Sequence, residues 1–302
     1  MSNTSLKQRE RQSNLTGWSL RTVGGVVSAI FVFFFAIPMV WLILATTKSA
    51  RALSVENPFS IGTWSDFVVN WNQLFEFQSG AVSTWVANSA LYAGGALVLT
   101  LIASIPAGYA LALTEFRLRG TLLVLTLIVM LIPNTALVLP IFLEMNAVGL
   151  IGDPLSVILP MSFFPFGVYL TYIYFSTSIP RELLDAARID GASEFKVFSR
   201  IALPLAAPIV ALVGFFSFVA NWNNYFLPFV MLPSSSDYPI QVGLTTLLGA
   251  TPAFNPSSAG STSVQLPTLA LATVISVLPV LIMFLFSQRF LVRGMTAGGV
   301  KE

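Results

Sequence analysis

Residues 179–204 contain the side chains whose types and spacing best indicate a specific interaction. Asp185 lies four residues after Arg181 and three residues before Arg188, so either ion pair could form on one helix. Gly191 then permits a turn that a side chain would obstruct. The chemistry offered by these residues is ion pairing on a short helix that is followed by a tight turn.

The same residues predict two short helices, one on each side of Gly191. The apolar face of the first helix consists of Leu183, Ala186 and Ala187. Ser193 is placed to cap the second helix, on which Phe195 and Phe198 form an apolar ridge. An amphipathic loop lying on a membrane surface is the alternative interpretation of this pattern.

Missing residue types exclude several kinds of chemistry. The chain has no cysteine and no histidine, which excludes disulfides, thiolate nucleophiles and histidine-ligated metals. None of the 13 acidic residues forms an obvious cage, so we predict no metal site. No lysine follows a glycine as the phosphate-binding pattern G-K-[ST] requires. We therefore expect a protein that is not an enzyme and does not itself hydrolyse ATP.

The composition is that of an integral membrane protein. Of 302 residues, 55% are hydrophobic and 9% are charged, whereas about a quarter are charged in soluble domains. The net charge of +2 is too small to indicate a nucleic-acid partner, so the lipid bilayer is the expected surrounding. Apolar stretches long enough to span it lie at about 23–47, 85–113, 121–143, 154–176, 205–230 and 266–288. We predict an all-α, polytopic membrane protein with six transmembrane helices.

The positions of lysine and arginine predict the orientation of these spans. Except for Lys48 and Arg51, all of them fall within residues 1–22, 114–120, 177–203 and 289–302. Because cytoplasmic loops are enriched in these residues, both termini and the 179–204 segment are expected in the cytoplasm.

The spans and loops suggest three parts of the chain. Residues 1–83 hold the amino-terminal tail, the first helix and an outer loop, 84–290 form a five-helix core, and 291–302 form a cytoplasmic tail. The 179–204 loop connects the fourth and fifth helices. Pro133 is expected to break the third span, and 231–265 is expected to be a flexible outer segment.

Uncharged polar and aromatic side chains within the spans are candidates to line a substrate path. They are Asn88, Asn134, Tyr169, Tyr172, Asn221, Trp222, Asn223 and Asn224. Asn and Tyr also join helices, and Trp and Tyr populate membrane interfaces, which is the alternative role. Proton- and sodium-coupled carriers usually place an ionisable or cation-coordinating group at membrane depth, but no Asp, Glu, Lys or Arg lies in the six spans. We therefore expect a neutral solute, moved passively or with energy from another protein.

The 179–204 pattern resembles the cytoplasmic loop of bacterial ABC-importer permeases, in which EAA precedes three residues, a glycine, nine residues and I-x-L-P. The matching residues are Ala186, Ala187, Gly191, Ile201, Leu203 and Pro204, with Asp185 where the family usually has glutamate. Further similarity lies in Asn88-Ser89, Gly108–Ala112, Pro133, Pro140, Gly149-Leu150, Trp222-Asn223 and the glycine-rich tail. Together these resemble the carbohydrate-uptake branch, with its six-helix maltose-type permeases.

The resemblance implies that the loop docks on a separate ATPase and passes its motion to the membrane helices. It assigns ATPase coupling to Glu182, Asp185, Ala186, Ala187, Arg188, Asp190, Gly191, Phe195 and Phe198. It implies no cofactor in this chain, with ATP and Mg²⁺ bound by the partner. The implied partners are a dimer of ATPase subunits, a second permease that is usually a different chain, and an extracytoplasmic solute-binding protein.

These expectations describe an importer of a sugar or oligosaccharide in the bacterial cytoplasmic membrane. Another cargo, such as a peptide, a polyol or a glycerol phosphate, is the first alternative. A passive membrane channel is the second.

Overall fold

The computed structural model describes residues 3–259 and 264–296, with side chains for 22–259 and 264–290. These residues contain helices and no strand. The first α-helices are α1 (Asn3–Ala45), α2 (Ala50–Val55), α3 (Trp64–Glu76), α4 (Ala81–Leu113), α5 (Arg119–Met130), α6 (Val138–Ala147), α7 (Leu155–Ser162) and α8 (Pro165–Ser178). They are followed by α9 (Arg181–Ile189), α10 (Glu194–Val197), α11 (Leu203–Leu205), α12 (Ala207–Trp222), α13 (Phe226–Met231), α14 (Ile240–Gly249) and α15 (Leu266–Thr296).

Four stretches are continuous, or nearly so, and long and apolar enough to cross a membrane. They are Thr22–Ala45, Ala81–Leu113, Leu155–Ser178 and Leu266–Phe290. Two bent pairs bring the number to six, namely Arg119–Met130 with Asn134–Ala147 and Glu194–Leu205 with Ala207–Trp222. The predicted all-α membrane fold is confirmed, with four to six candidate spans. Glu194–Leu205 of the second pair belongs almost entirely to the predicted 179–204 loop, so the fifth span is Ala207–Trp222. Of the predicted carboxyl-terminal tail, 291–296 continue α15, and 297–302 lie outside the described residues.

The third span bends by 98° where the sequence predicts a break. Pro133 has extended backbone angles, and a 3-10 turn, Asn134–Leu137, follows it before α6 begins. Proline lacks the amide hydrogen that a continuing helix needs and disfavours helical geometry in the residue before it. The bend therefore has a local cause, and it leaves Asn134 at the start of the second half of the span.

The fifth span is shorter than predicted. It consists of α12, which meets Glu194–Leu205 at an angle of 76° beside Ala206 and ends at Trp222 instead of continuing to about 230. The side chain of Asn223 donates to the carbonyl of Val219, and that of Asn224 accepts from the amide of Leu227. Asparagine side chains that bond to nearby backbone compete with helix hydrogen bonds, so these residues end α12 and start α13.

Two compact units divide the described residues. The first comprises those up to Asn72 together with Gln265–Val274. In it Lys48 is fully buried, and its ammonium donates to the carbonyl of Asn57 at 2.6 Å. The amide of Asn70 donates to the carbonyls of Thr46 and Lys48, both at 2.9 Å. One of the two cations that the sequence places outside is thus held by backbone carbonyls.

The second unit comprises Gln73–Val264 and the described residues from Ile275. Its centre is α4, which packs against α7, α8 and α12. A Cβ at Gly108 of α4 would lie 2.5 Å from the Cβ of Thr171 in α8. The two helices therefore touch backbone to backbone there, as small residues allow in membrane proteins.

The segment predicted to be flexible, 231–265, contains an ordered helix, so that prediction is wrong for α14. The amide of Ile240 donates to Ser89 of α4 at 2.7 Å, and Ile240, Val242 and Leu247 are buried. A Cβ at Gly243 would lie 2.1 Å from the Trp85 ring. Small residues and prolines that resemble a loop in sequence here allow close packing against α4.

Candidate functional site

The first candidate site is the 181–202 hairpin, formed by α9, the turn at Gly191, α10 and the π-helical turn Phe198–Ala202. In α9, Leu184 is fully buried, whereas Leu183 is 46% exposed and Ala186 is exposed. Of the predicted apolar face, Ala187 packs against the core, whereas Leu183 does not. Leu184 takes its place, one residue or about 100° around the helix. Two adjacent leucines give a helical pattern no preference between faces, and packing selects Leu184.

The inner side of the hairpin joins the core of the membrane helices. Leu184 and Val197 belong to one buried cluster with Tyr109 of α4 and Phe175 of α8. The Tyr109 ring centroid lies 5.4 Å from that of Phe175 and 5.0 Å from that of Phe198. A displacement of the hairpin would therefore press directly on two membrane helices, because close-packed interiors transmit strain.

A polar network links the same elements. Arg188 pairs with Asp185 at 2.7 Å, as predicted, and makes two further hydrogen bonds across the turn to Glu194, at 3.0 and 3.1 Å. The Tyr109 hydroxyl donates to the same Glu194 carboxylate at 2.5 Å. The alternative predicted partner of Asp185, Arg181, bonds instead to the carbonyl of Ala112 at 3.3 Å. Glu194 thus ties both helices of the hairpin to α4.

Charge stabilises this network at neutral pH. Hydrogen bonds from the Arg188 guanidinium hold the pKa of the Glu194 carboxyl below its usual range, and Glu194 raises the pKa of Arg188. An unfolded glutamate has a pKa of about 4.3. The interaction between Glu194 and Arg188 therefore stabilises the folded protein fully above that pH. This stabilisation is lost as the pH falls through the lower pKa that Glu194 has in the folded protein.

Gly191 closes α9 in a Schellman motif. Its φ is +80°, its amide bonds to the carbonyl of Arg188, and the amide of Ala192 bonds to the carbonyl of Ala187, both at 3.0 Å. No atom lies within 4 Å of a Cβ placed at Gly191. The expectation that a side chain would obstruct this turn is therefore wrong. The requirement is the left-handed backbone, which glycine adopts without strain.

Replacing Gly191 with valine should therefore weaken the hairpin by about 1–2 kcal/mol through backbone strain alone. Gly191→Asn should stay close to the parent, because asparagine tolerates this conformation. In an importer of the kind that the resemblance implies, the ratio of solute transported to ATP hydrolysed measures the effect. Equal impairment in both variants would contradict the backbone explanation and indicate contact through position 191.

The outer side of the hairpin presents apolar side chains. Leu183, Ile189 and Phe195 are exposed by 46%, 87% and 76%. Phe198 packs inward on Tyr109, so the predicted ridge of Phe195 and Phe198 is divided between two faces. Ser193 occupies the capping position of α10, but its side chain makes no capping bond, contrary to prediction.

The acidic residues predicted to couple with the ATPase have different positions. Glu182 is exposed in the first turn of α9, where a negative charge favours the helix dipole. Asp190 is exposed at the end of α9. Both are free of ion pairs among the described residues, whereas Asp185 is paired with Arg188.

The second candidate site is an open cavity of about 170 Å³ lined by Asn134, Asn221 and Asn224. The bend of the third span and the end of α12 bring these three predicted path residues together. Phe163, Phe164 and Phe226 also line it, and no charged side chain does. Amides beside aromatic rings can bind hydroxyl groups and the apolar face of a sugar ring.

A buried chain of hydrogen bonds positions Asn221. Its amide donates to Ser217 at 3.3 Å, Ser217 donates to Thr100 at 3.2 Å, and Thr100 donates to the carbonyl of Ser162 at 3.0 Å. The chain crosses α12, α4 and α7, which are thereby joined inside the second unit. Asn221 is therefore held in a fixed position at the wall of the cavity.

The other predicted path residues do not line this cavity. Asn88 donates to the carbonyls of Ser236 and Tyr238, at 2.8 and 3.2 Å. Trp222 is 3% exposed and donates to the carbonyl of Ser276 at 2.9 Å. Asn223 bonds within its own helix, and Tyr169 and Tyr172 stack on each other in α8 with ring centroids 6.4 Å apart. Asn88 and Trp222 thus have structural roles in this chain.

The sequence did not identify several residues that complete the sites. Glu194 and Tyr109 are 85 residues apart, so no local pattern joins them. Phe163 and Phe164 of the cavity precede Pro165, and this proline is a helix-interruption signal that could have identified them.

Comparison with known proteins gives one matching family profile and several similar proteins. The profile of the family described as binding-protein-dependent transport system inner membrane component matches residues 104–297. The arabinooligosaccharides transport system permease protein AraQ of Halalkalibacterium halodurans is 33% identical over 97% of this chain and 99% of the relative. The lactose transport system permease protein LacG of Rhizobium radiobacter is 28% identical over 91% and 94% of the two chains.

A solved structure has the same fold. It is a chain of a bacterial ABC transporter involved in the import of the acidic polysaccharide alginate, and it aligns with a TM-score of 0.77. The alignment covers 91% of this chain and 97% of the other, at 23% sequence identity.

Proposed function

Because the chain belongs to the family of binding-protein-dependent transport system inner membrane components, we propose that it is the permease subunit of an ATP-driven importer of a neutral sugar or oligosaccharide. The observation that carries the proposal is the two-sided 181–202 hairpin. Its inner side packs on Tyr109 and Phe175, and its outer side exposes Ile189 and Phe195. A partner that docks on the outer side of the hairpin can therefore move the membrane helices that pack against its inner side.

The partner that docks there is the ATPase, which binds ATP and Mg²⁺ in place of this chain. Exposed apolar residues such as Phe195 are suited to fill a cleft in another subunit. The permease works with a second permease, a pair of ATPase subunits and an extracytoplasmic solute-binding protein. Both termini and the hairpin face the cytoplasm, which is supported by the distribution of Lys and Arg.

The neutral character of the cargo is supported by the cavity of Asn134, Asn221 and Asn224. Its lining offers amides and aromatic rings but no cation to balance a carboxylate. Relatives of this chain bear the names of arabinooligosaccharide and lactose systems. The alginate importer, in contrast, is described as taking an acidic polysaccharide.

Uptake by the complete importer in liposomes tests the function. Labelled arabinooligosaccharide or lactose should accumulate only with ATP, and an acidic alginate oligosaccharide should not. Accumulation without ATP and without the ATPase would identify a passive channel. Uptake restricted to the acidic sugar would contradict the role assigned to the uncharged cavity.

Asn134→Ala should raise the sugar concentration for half-maximal uptake roughly twofold to tenfold, the cost of one lost hydrogen bond. Asn134 is suited to this test because it lines the cavity and is exposed, so its loss leaves the packing intact. Asn146→Ala is the matched control, since Asn146 is exposed in α6 and does not line the cavity. A larger effect of the control than of Asn134→Ala would remove this cavity from the path.

A further inference from the structure

A polar cleft of about 240 Å³ separates the turn between α4 and α5 from the start of α9. Arg119, Arg181 and Arg188 line it, together with Glu115 and Asp185. All of them belong to the second unit. The coupling role assigned to the hairpin involves its outer side and its inner packing, so this cleft is a separate feature.

Two of the arginines donate a hydrogen bond to the same acceptor atom. Arg119 and Arg181 each donate through Nη2 to the carbonyl oxygen of Ala112, at 3.2 and 3.3 Å. Ala112 lies in the last turn of α4, whose carbonyls carry partial negative charge and attract cations. The helix end thus gathers two guanidinium groups that would otherwise repel each other.

Neither of these two groups takes part in an ion pair among the described side chains, although Glu115 and Asp185 also line the cleft. Arg188 is neutralised by Asp185 and Glu194. In the part of the chain whose side chains are described, Arg119 and Arg181 form no ion pair, and Glu115 pairs with neither. A guanidinium has five N–H donors, and the Ala112 carbonyl takes one from each arginine. Several donors therefore remain for an anion in the cleft.

Planar guanidinium groups match the oxygens of a phosphate, and two of them side by side favour it further. The cleft lies at the ends of α4 and α5, both parts of membrane spans, so it is at the level of lipid headgroups. Beside it, Leu118 and Leu122 are exposed by 59% and 44% and offer an apolar surface for an acyl chain. A phospholipid supplies both the phosphate and the chain.

We propose that Arg119 and Arg181 bind the phosphate of an anionic phospholipid, which joins the start of the 181–202 hairpin to the ends of α4 and α5. Inorganic phosphate shares the chemistry of the headgroup but lacks the acyl chain. The lipid would hold α9 against the membrane helices through one shared anion.

Native mass spectrometry of the full-length chain, extracted with phosphatidylglycerol and phosphatidylcholine, tests this site. The parent protein should retain phosphatidylglycerol preferentially, and Arg119→Gln with Arg181→Gln should reduce that retention roughly tenfold. Arg119→Lys with Arg181→Lys, which keeps the charge and a donor to Ala112, should retain an intermediate amount. It also preserves the test if the glutamine variant fails to fold.

Arg117→Gln is the matched control, because Arg117 is exposed in the same turn but does not line the cleft. Equal loss in this control would show general attraction of positive charge and overturn the site. Unchanged retention in the glutamine variant would overturn it as well. Complete displacement of the lipid by equimolar inorganic phosphate would show that the site takes free phosphate and overturn the lipid assignment.

Discussion

Gly108→Ala should lower the thermal unfolding midpoint of the purified permease by several degrees, although it adds only a methyl group. The new Cβ would lie 2.5 Å from the Thr171 Cβ and 2.8 Å from the backbone nitrogen of Tyr172. Thr171 cannot turn away easily, because it is β-branched, fully buried and bonded to the carbonyl of Gly167 at 2.7 Å. Separating α4 from α8 is the remaining response, and overpacking of this kind costs about 1–3 kcal/mol.

Gly94→Ala is the matched control for this prediction. Gly94 lies in α4 as well, but no atom is within 4 Å of a Cβ placed there. Alanine is favoured over glycine inside a helix by about 0.5–1 kcal/mol, so this variant should be unchanged or more stable. Scanning fluorimetry in detergent compares the two. Equal midpoints would show that α4 and α8 are not in close contact at Gly108.

Glu194→Ala should separate ATP hydrolysis from transport. It removes the acceptor shared by Arg188 and Tyr109, and the Tyr109 side chain is buried. A buried donor without a partner costs about 1–3 kcal/mol. The link from the hairpin to α4 then weakens, while the exposed outer side, which is the proposed docking surface for the ATPase, is unchanged. We expect the ratio of sugar transported to ATP hydrolysed to fall by about tenfold, the equivalent of roughly 1.4 kcal/mol.

Two further variants separate this role from a general loss of stability. Adding Tyr109→Phe to Glu194→Ala should recover part of the stability, because both partners of the hydrogen bond are then removed. It should not recover coupling, since the polar link is still missing. Lys196→Ala is the control on the same short helix, exposed and without an ion pair among the described residues. Normal coupling in Glu194→Ala would exclude the network from the transmission of motion.

The all-α membrane class, the approximate positions of the spans and the loop motif at 185–204 were predictable, because each depends on local chemistry. The length and apolarity of a stretch decide whether it can cross a bilayer, and proline at 133 decides where the third span breaks. Helical spacing predicted the Asp185–Arg188 pair, although it allowed Arg181 as a partner equally well. The resemblance of residues 185–204 to a family loop needed only the order of residues along the chain.

Tertiary contacts decided which face of the hairpin is buried, which residues pair with its charged side chains, and which three asparagines meet at the cavity. Leu183 and Leu184 have the same apolarity, and only packing against Tyr109 and Phe175 buries the second. Glu194 meets Tyr109 across 85 residues, and a bend of 98° is needed to bring Asn134 to Asn221. Such contacts depend on how helices cross in space, and the periodicity of a single helix carries no information about its neighbour.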